Sequence, residues 1–471
     1  AYEGFFKNNT RIPGSESLTG EALSEKAYEY VKTQVGTDGK SGTGFAKEIL
    51  GWILENATTV ATTHTTATTT AGSTVISGLE YGYYVVYPLG ATDTSAAPGE
   101  QDYTSVASLV SVTGDTSINM KSNYPTVVKK VNDKNADDVN IGDTVTYTLT
   151  SKVPDMTGYT SYVFNFKDTL SAGLTFKEIT SVKVGETTIT KVDAGQEADN
   201  TYTLTQDGQN ITITMNNFLA SNKDNTGKEI KVTYTATLNK DAVTGFDANK
   251  NSATVEYSNK PGTDNKGESE PSIVDVHTFN FTIFKYYLKD ETKTGLAKAE
   301  FELYKANEAG DAADTNAKIN IVKVKDGEYR QATPEEAAAE GFKSDVIVSG
   351  TDGKVLVKGL DAGTYYLRET KAPEGYNKLL SDIKVEIKAN YDETTGKLTS
   401  YSVDYTYNGT TTTGTAITNK DNSPEVAVEN KTGAQLPSTG SKGALMVTLA
   451  GIVLFGALTA SKAFGKKKAK N

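Results

Sequence analysis

The feature that most constrains this chain is a repeated alternation of side chains. Between Thr144 and Leu149, threonines occupy Thr144, Thr146 and Thr148, and apolar residues occupy Val145, Tyr147 and Leu149. The same period of two returns at Ile211 and Ile213, at Ile230, Val232 and Tyr234, and at Ala253, Val255 and Tyr257. Successive side chains of a strand point to opposite faces, so this pattern makes strands with one buried and one wet face. Such strands pair into sheets, and two sheets of this kind stack as a sandwich. The chain has 471 residues, enough for about three domains.

Composition narrows the function classes. There is no cysteine, so no disulfide framework can supply mechanical stability. The net charge is −11 and the densest basic cluster is C-terminal, which argues against nucleic acid as a partner. With only His64 and His277 and no cysteine, no metal constellation is expected. Neither a phosphate loop nor a Ser/His/Asp arrangement is present, so no cofactor and no enzyme acting on other molecules are expected. Acidic pairs such as Asp137 and Asp138 read as solvated loop residues.

The first region, residues 1–123, opens with two helical patterns, Leu18 to Val35 and Phe45 to Asn56. No leader precedes Ala1, which reads as a processed or truncated start. A Thr-rich, low-complexity segment follows, from Thr58 to Thr74. Next comes a turn and strand, Gly78-Leu79-Glu80-Tyr81-Gly82-Tyr83-Tyr84, echoed at Gly359-Leu360-Asp361-Ala362-Gly363-Thr364-Tyr365. The echo suggests a shared sandwich ancestry for the first and last domains. A strand from Ser117 to Met120 leads to Lys121, just before Tyr124-Pro125 at a domain junction.

In the middle region, residues 124–272, three polar residues interrupt apolar faces. Lys129 falls between Val127 and Val131, Asp168 continues Phe164 and Phe166, and Asn251 begins the face of Ala253, Val255 and Tyr257. Lys130 is the alternative amine, because strand register is not fixed by sequence. Buried alone, each group is costly. Buried together, desolvation favours a neutral amine and a protonated acid, and the acid can polarise the carboxamide. Attack of the amine on the asparagine side chain then releases ammonia and leaves an isopeptide bond. These residues, with Lys167-Asp168-Thr169-Leu170-Ser171-Ala172-Gly173-Leu174, resemble the self-crosslinking sandwich domains of Gram-positive pilins. The resemblance implies a Lys129–Asn251 bond promoted by Asp168.

The last folded region, residues 273–422, repeats the pattern. Phe279, Phe281, Ile283, Lys285 and Tyr287 share one face, Glu369 follows Tyr365 and Leu367 inward, and Asn419 shares the face of Ile417. The segments from Leu296 to Tyr304 and from Tyr365 to Tyr376 resemble the collagen-adhesin B-type (Cna B-type) module. That resemblance implies a bond between Lys285 and Asn419 with Glu369 as the promoting acid. An insertion from Asp311 to Phe342 carries the helix start Thr333-Pro334-Glu335-Glu336, expected to cover an open sheet edge.

A flexible stem, residues 423–435, precedes Leu436-Pro437-Ser438-Thr439-Gly440. An apolar run from Ala444 to Ser461 and the lysines Lys466, Lys467, Lys468 and Lys470 follow. The run is just long enough to cross a bilayer, and the lysines fit its cytoplasmic side. Motif, span and basic end over residues 436–471 resemble the LPxTG sorting signal of sortase substrates, which implies cleavage between Thr439 and Gly440. The expected fold class is therefore mainly β: tandem Ig-like, Cna-type sandwiches with a few short helices and a C-terminal transmembrane sorting helix.

The whole chain resembles a sortase-assembled Gram-positive major pilin at the cell surface. The resemblance implies sortase, further copies of the same chain, and peptidoglycan or a basal pilin as partners, with a host receptor as a further candidate. Thr439 of one copy would join Lys121 of the next, with Lys129, Lys130 or another lysine of the chain as alternative acceptors. A wall-anchored adhesin that does not polymerise, or a minor pilin binding a host ligand, is the alternative reading.

Overall fold

The computed structural model describes residues 3–7, 12, 14–34, 45–46, 48–50, 52, 75–86, 108–117, 124–259 and 264–433. In the first region, helices Glu3–Lys7 and Gly20–Gln34 occur with an antiparallel pair, Gly82–Val86 against Ser108–Val112. Phe5, Phe6, Leu23, Val31, Phe45, Ile49, Leu50 and Leu109 form one buried cluster there. The expected strand from Ser117 to Met120 lies almost wholly outside the described residues, as do Lys121 and the Thr-rich segment.

The middle domain is a two-sheet sandwich. One sheet orders its strands Val128–Val131, Thr144–Lys152, Glu229–Leu238, Leu174–Val184 and Thr187–Thr188. The facing sheet runs Ala136–Asp138, Ser272–His277, Asn249–Ser258, Phe164–Leu170, Asn210–Met215, Thr201–Asp207 and Thr190–Lys191, with Lys266–Glu268 beside Asn249–Ser258. The alternation does what it predicts: Val145, Tyr147, Leu149, Ile211, Ile213, Val232, Val255 and Tyr257 are all buried in one core. Each fully buried large apolar side chain contributes about 1.5–3 kcal/mol.

The last domain repeats the design. Its first sheet runs Thr292–Gly295, Phe279–Lys289, Lys354–Leu360, Glu328–Gln331 and Ile321–Lys325, with Glu425–Glu429 pairing parallel to Phe279–Lys289. The second runs Ala313–Lys318, Glu300–Ala306, Gly363–Lys371, Ile383–Tyr391, Leu398–Tyr407 and Thr410–Thr412, with Ile347–Val348 beside Glu300–Ala306.

Two boundaries differ from the sequence reading. Ser272–His277 pairs with Asn249–Ala253 and with Ala136–Asp138, so it completes the middle sandwich and does not open the last one. The presumed stem begins with a strand, because Val426 and Val428 bury an apolar face against the Phe279–Lys289 strand. Among the described residues no helix is long and apolar enough to cross a membrane, and the expected transmembrane segment lies outside them.

The two sandwiches meet directly. Ile141 N–H donates to Gly359 O at 3.0 Å, and Ala362 N–H to Asp138 Oδ1 at 2.7 Å. Tyr391 O–H donates to Asp138 Oδ2 at 2.8 Å, so this acid joins domains and is not a solvated loop residue. Gly142 has φ +94°, and a Cβ there would stand 2.3 Å from Pro334 Cδ, so only glycine lets the insertion helix approach. That helix, Pro334–Ala338, has the expected capping box, and Arg330 holds Glu336 through both guanidinium nitrogens. It packs at the domain junction, where Gln331 Nε2 also donates to Ile141 O at 3.4 Å, and so has a neighbour that a bare sheet-edge cover would lack.

Two buried amine–carboxyl–amide clusters as the candidate functional site

In the middle domain, register brings the three predicted residues together from opposite sheets. Lys129 lies opposite Leu149, on the edge strand of one sheet. Asp168 lies opposite Ala253 on the other, so Asn251 is its diagonal neighbour on the same face. All three are sealed: Lys129 is 1 % exposed, Asp168 2 % and Asn251 0 %. Lys129 Nζ is ion-paired to Asp168 Oδ2 and also donates to Tyr234 Oη at 2.7 Å. Burial pulls the Lys129 amine down to about 8, with Asp168 opposing that shift. A far larger fraction of this amine is neutral, and therefore nucleophilic, near neutral pH than of an ordinary lysine. Asp168 Oδ1, Asn251 Oδ1 and Tyr147 Oη are all buried here without a hydrogen-bond partner.

Tyr234 was absent from the sequence reading as a site residue. It lies opposite Tyr147 on the Lys129 sheet, and the two rings stack at 5.1 Å. Its hydroxyl accepts from Lys129 Nζ and from Asn251 Nδ2, each at 2.7 Å, and donates to Asp168 Oδ2 at 2.8 Å. A tyrosine on an apolar face reads as core, so the pattern concealed its hydroxyl.

In the last domain Lys285 and Glu369 take their expected places. Both side chains are fully buried, and Lys285 Nζ lies 3.0 Å from Glu369 Oε1. Burial again brings the amine down to about 8, against the pull of Glu369. The amide is a different one. Asn419 is exposed, and its Oδ1 accepts from Asp421 N at 3.1 Å and from Asn422 Nδ2 at 3.0 Å. The expected strand at Ala416–Asn419 reduces to an isolated bridge between Tyr401 and Ile417, so nothing carries Asn419 into the core. Asn430 occupies the cluster instead. It is 2 % exposed, and its Nδ2 donates to Glu369 Oε1 at 3.2 Å. Val428 pairs with Lys285, so Asn430 follows two residues on along the same face. The alternation Val426, Val428, Asn430 is the signal that marks Asn251, displaced into the presumed stem. Leu379 N–H donates to Glu369 Oε2 at 2.7 Å and fixes the carboxyl.

Lys129, as an alternative acceptor for another chain, is excluded by its burial, whereas Lys130 on the same strand is half-buried and faces outward toward Asn135. The sorting motif Leu436, Pro437, Ser438, Thr439 and Gly440 lies outside the described residues.

Paired sandwiches, each with a lysine, a carboxyl and an amide sealed between an early and a late strand, define a tandem Cna-B-type surface module. The chain carries a domain of the Gram-positive pilin backbone subunits. Residues 141–261 match the model of the Gram-positive pilin backbone subunit 2, Cna-B-like domain, and residues 282–402 match the SpaA prealbumin-like fold domain. The trypsin-resistant surface T6 protein of Streptococcus pyogenes serotype M6 is 26% identical over 328 residues, covering 62% of this chain and 51% of that protein. The fimbrial subunit type 2 of Actinomyces naeslundii is 29% identical over 268 residues, covering 53% and 48%. The chain thus spans about half the length of these curated relatives. Among solved structures, the T6 backbone pilin of serotype M6 Streptococcus pyogenes aligns with TM-score 0.47 and 16% identity, over 84% of this chain and 85% of that one.

Proposed function

We propose that this chain is the structural subunit of a covalent surface pilus whose sandwiches close themselves with internal isopeptide bonds. The observation that carries the reading is the pair of sealed clusters, Lys129–Asp168–Asn251 and Lys285–Glu369–Asn430. In each, the neutral lysine Nζ attacks the asparagine Cγ. The Nζ–Cγ bond forms, the Cγ–Nδ2 bond breaks, one proton passes from Nζ to Nδ2, and ammonia leaves. The carboxyl, in its protonated form, polarises the amide for attack. Buried charge is expensive, and the product amide removes both the charged amine and its desolvation penalty. Intact-mass measurement of the recombinant chain tests this. Loss of one ammonia per bond is expected, and a full-mass chain overturns it.

Assembly follows from the terminal motif and from the relatives, which are named as a fimbrial subunit and a surface protein. Sortase would cleave between Thr439 and Gly440 and transfer the Thr439 carboxyl to a lysine of the next copy, with Lys121 the first candidate. Wall extracts boiled in detergent should give a ladder of covalent multimers. A single band would instead indicate an anchored monomer, and a ladder unchanged in Lys121→Ala would move the acceptor elsewhere.

A further inference from the structure

Resting on the crosslinking reading above, we propose that Tyr234 is a catalytic residue of the middle-domain bond, carrying the proton from the attacking amine to the leaving nitrogen. Bond formation requires Nζ to lose one proton and Nδ2 to gain one. Tyr234 Oη stands 2.7 Å from both nitrogens, and it is the group that the structure puts in hydrogen-bond reach of the nucleophile, the leaving group and the acid together. A hydroxyl both accepts and donates: once Nζ has bonded to Cγ, Nδ2 is no longer a planar amide nitrogen and can accept, so the hydroxyl turns its proton from Asp168 Oδ2 to Nδ2 as it takes the one from Nζ, and ends as it began. Desolvation pushes the Tyr234 phenol well above its ordinary range, so it stays a neutral hydroxyl. Stacking on Tyr147 fixes the ring, and Asp168 Oδ2 holds the hydroxyl in line.

The last domain provides an internal contrast. There the ring beside the amine is Phe301, 5.7 Å from Lys285 Nζ to its centroid, and Asn430 Nδ2 donates directly to Glu369 Oε1. That carboxyl touches both nitrogens and needs no intermediary. In the middle domain the hydroxyl stands between amide nitrogen and acid. The two sites therefore use different proton routes for the same bond.

The test is Tyr234→Phe in the whole chain, made by cell-free synthesis and sampled over time. Cross-linked peptides from each domain are quantified by mass spectrometry at several pH values. The expected result is a middle-domain bond slowed at least tenfold at every pH, with the Lys285–Asn430 bond forming at the wild-type rate. The pH midpoint set by the Lys129 amine should be unmoved, because phenylalanine keeps the stack and the burial. Asp168→Asn provides the slow reference, and Val182→Ala, in the same core but away from the cluster, controls for packing and should leave the rate unchanged. A Tyr234→Phe rate equal to wild type overturns the proposal. So does a slowing matched by Val182→Ala, which would mark a packing effect. A wild-type chain without either bond would overturn the crosslinking reading itself, a result distinct from both.

Discussion

Replacing Asn251 with alanine leaves Lys129 and Asp168 sealed in the core with no amide to attack, and two separable losses follow. The first is the staple. A link from position 129 to position 251 closes a loop of roughly 120 residues, for which chain entropy predicts about 5 kcal/mol. In a domain of about 150 residues each kcal/mol moves Tm by about 2–4 °C, so the middle-domain transition should fall by about 10–20 °C. The second loss is the persistence of the amine. Burial holds Lys129 near 8 against 10.5 for an exposed lysine. At about 1.4 kcal/mol per unit, the charged amine costs the unlinked fold about 3 kcal/mol at neutral pH. Because the folded value lies below the unfolded one, the amine's contribution is full above 10.5 and is lost as pH falls through about 8. Asn251→Ala should therefore gain stability as pH rises from 8 to 10.5. The linked protein, whose nitrogen is an amide, has no such limb. Urea unfolding across that range, with intact mass taken on the same samples, measures both effects. Lys129→Met with Asn251→Ala should lose the alkaline gain and recover part of the Tm, yet stay below the linked protein because the staple is still missing. The reasoning is refuted if Asn251→Ala melts with the wild type, or if both proteins show the same pH limb.

Three further outcomes are expected. Asn430→Ala should abolish the ammonia loss of the last domain while Asn419→Ala leaves it intact, read by mapping the cross-linked peptide. His277 is 3 % exposed at the domain junction, ring-stacked on Phe279 and edge-on to Tyr391, and burial lowers its pKa against the pull of Asp275, Asp138 and Asp247. Its neutral form stabilises the fold fully above 6.5, and this support is lost as pH falls below that value. Denaturant unfolding between pH 7 and 5 should show the decline in wild type and a smaller one in His277→Phe. Gly142→Ala places a methyl against Pro334 in a left-handed backbone, so limited proteolysis should cut the junction at least several-fold faster, with both clusters still linked.

The legible parts of this molecule were those written in a single strand. Lys129, Asp168 and Lys285 each break an alternating apolar run, and an inward polar residue in such a run must find partners or destabilise the core. Asn430 was hidden because its strand, Glu425–Glu429, is short, lies beyond an irregular segment and pairs parallel with a strand far earlier in sequence. The short Ala416–Asn419 alternation offered a nearer alternative, and only tertiary pairing separates the two. Tyr234 was hidden for the opposite reason: its ring fits the apolar period so well that nothing in the pattern singles out its hydroxyl. The domain junction was also invisible, since it depends on a glycine, an aspartate and a tyrosine drawn from two sandwiches.

The positions of the two proposed links predict unequal responses to force. In the last domain the chain enters near Phe279 and its described path ends at Gly433, so a Lys285–Asn430 bond would carry load past nearly the whole sandwich. In the middle domain the bond would end at Asn251, yet the chain leaves only after His277. The segment between them is outside the staple. It is held by pairing of its first residues, Ser252–Tyr257, with Phe164–Thr169, by pairing of Ser272–His277 with Asn249–Ala253 and with Ala136–Asp138, and by Val139 N–H donating to His277 O at 3.0 Å. Pulled from its ends, this domain should therefore release that segment and then stop. About 25 residues at roughly 3.5 Å each allow at most about 90 Å of extension. The last domain should give almost none. Single-molecule stretching of the linked chain tests the difference. Complete unfolding of either sandwich would show that its link is missing, whereas no release from the middle domain would show that the domain junction, and not the staple alone, bears the load.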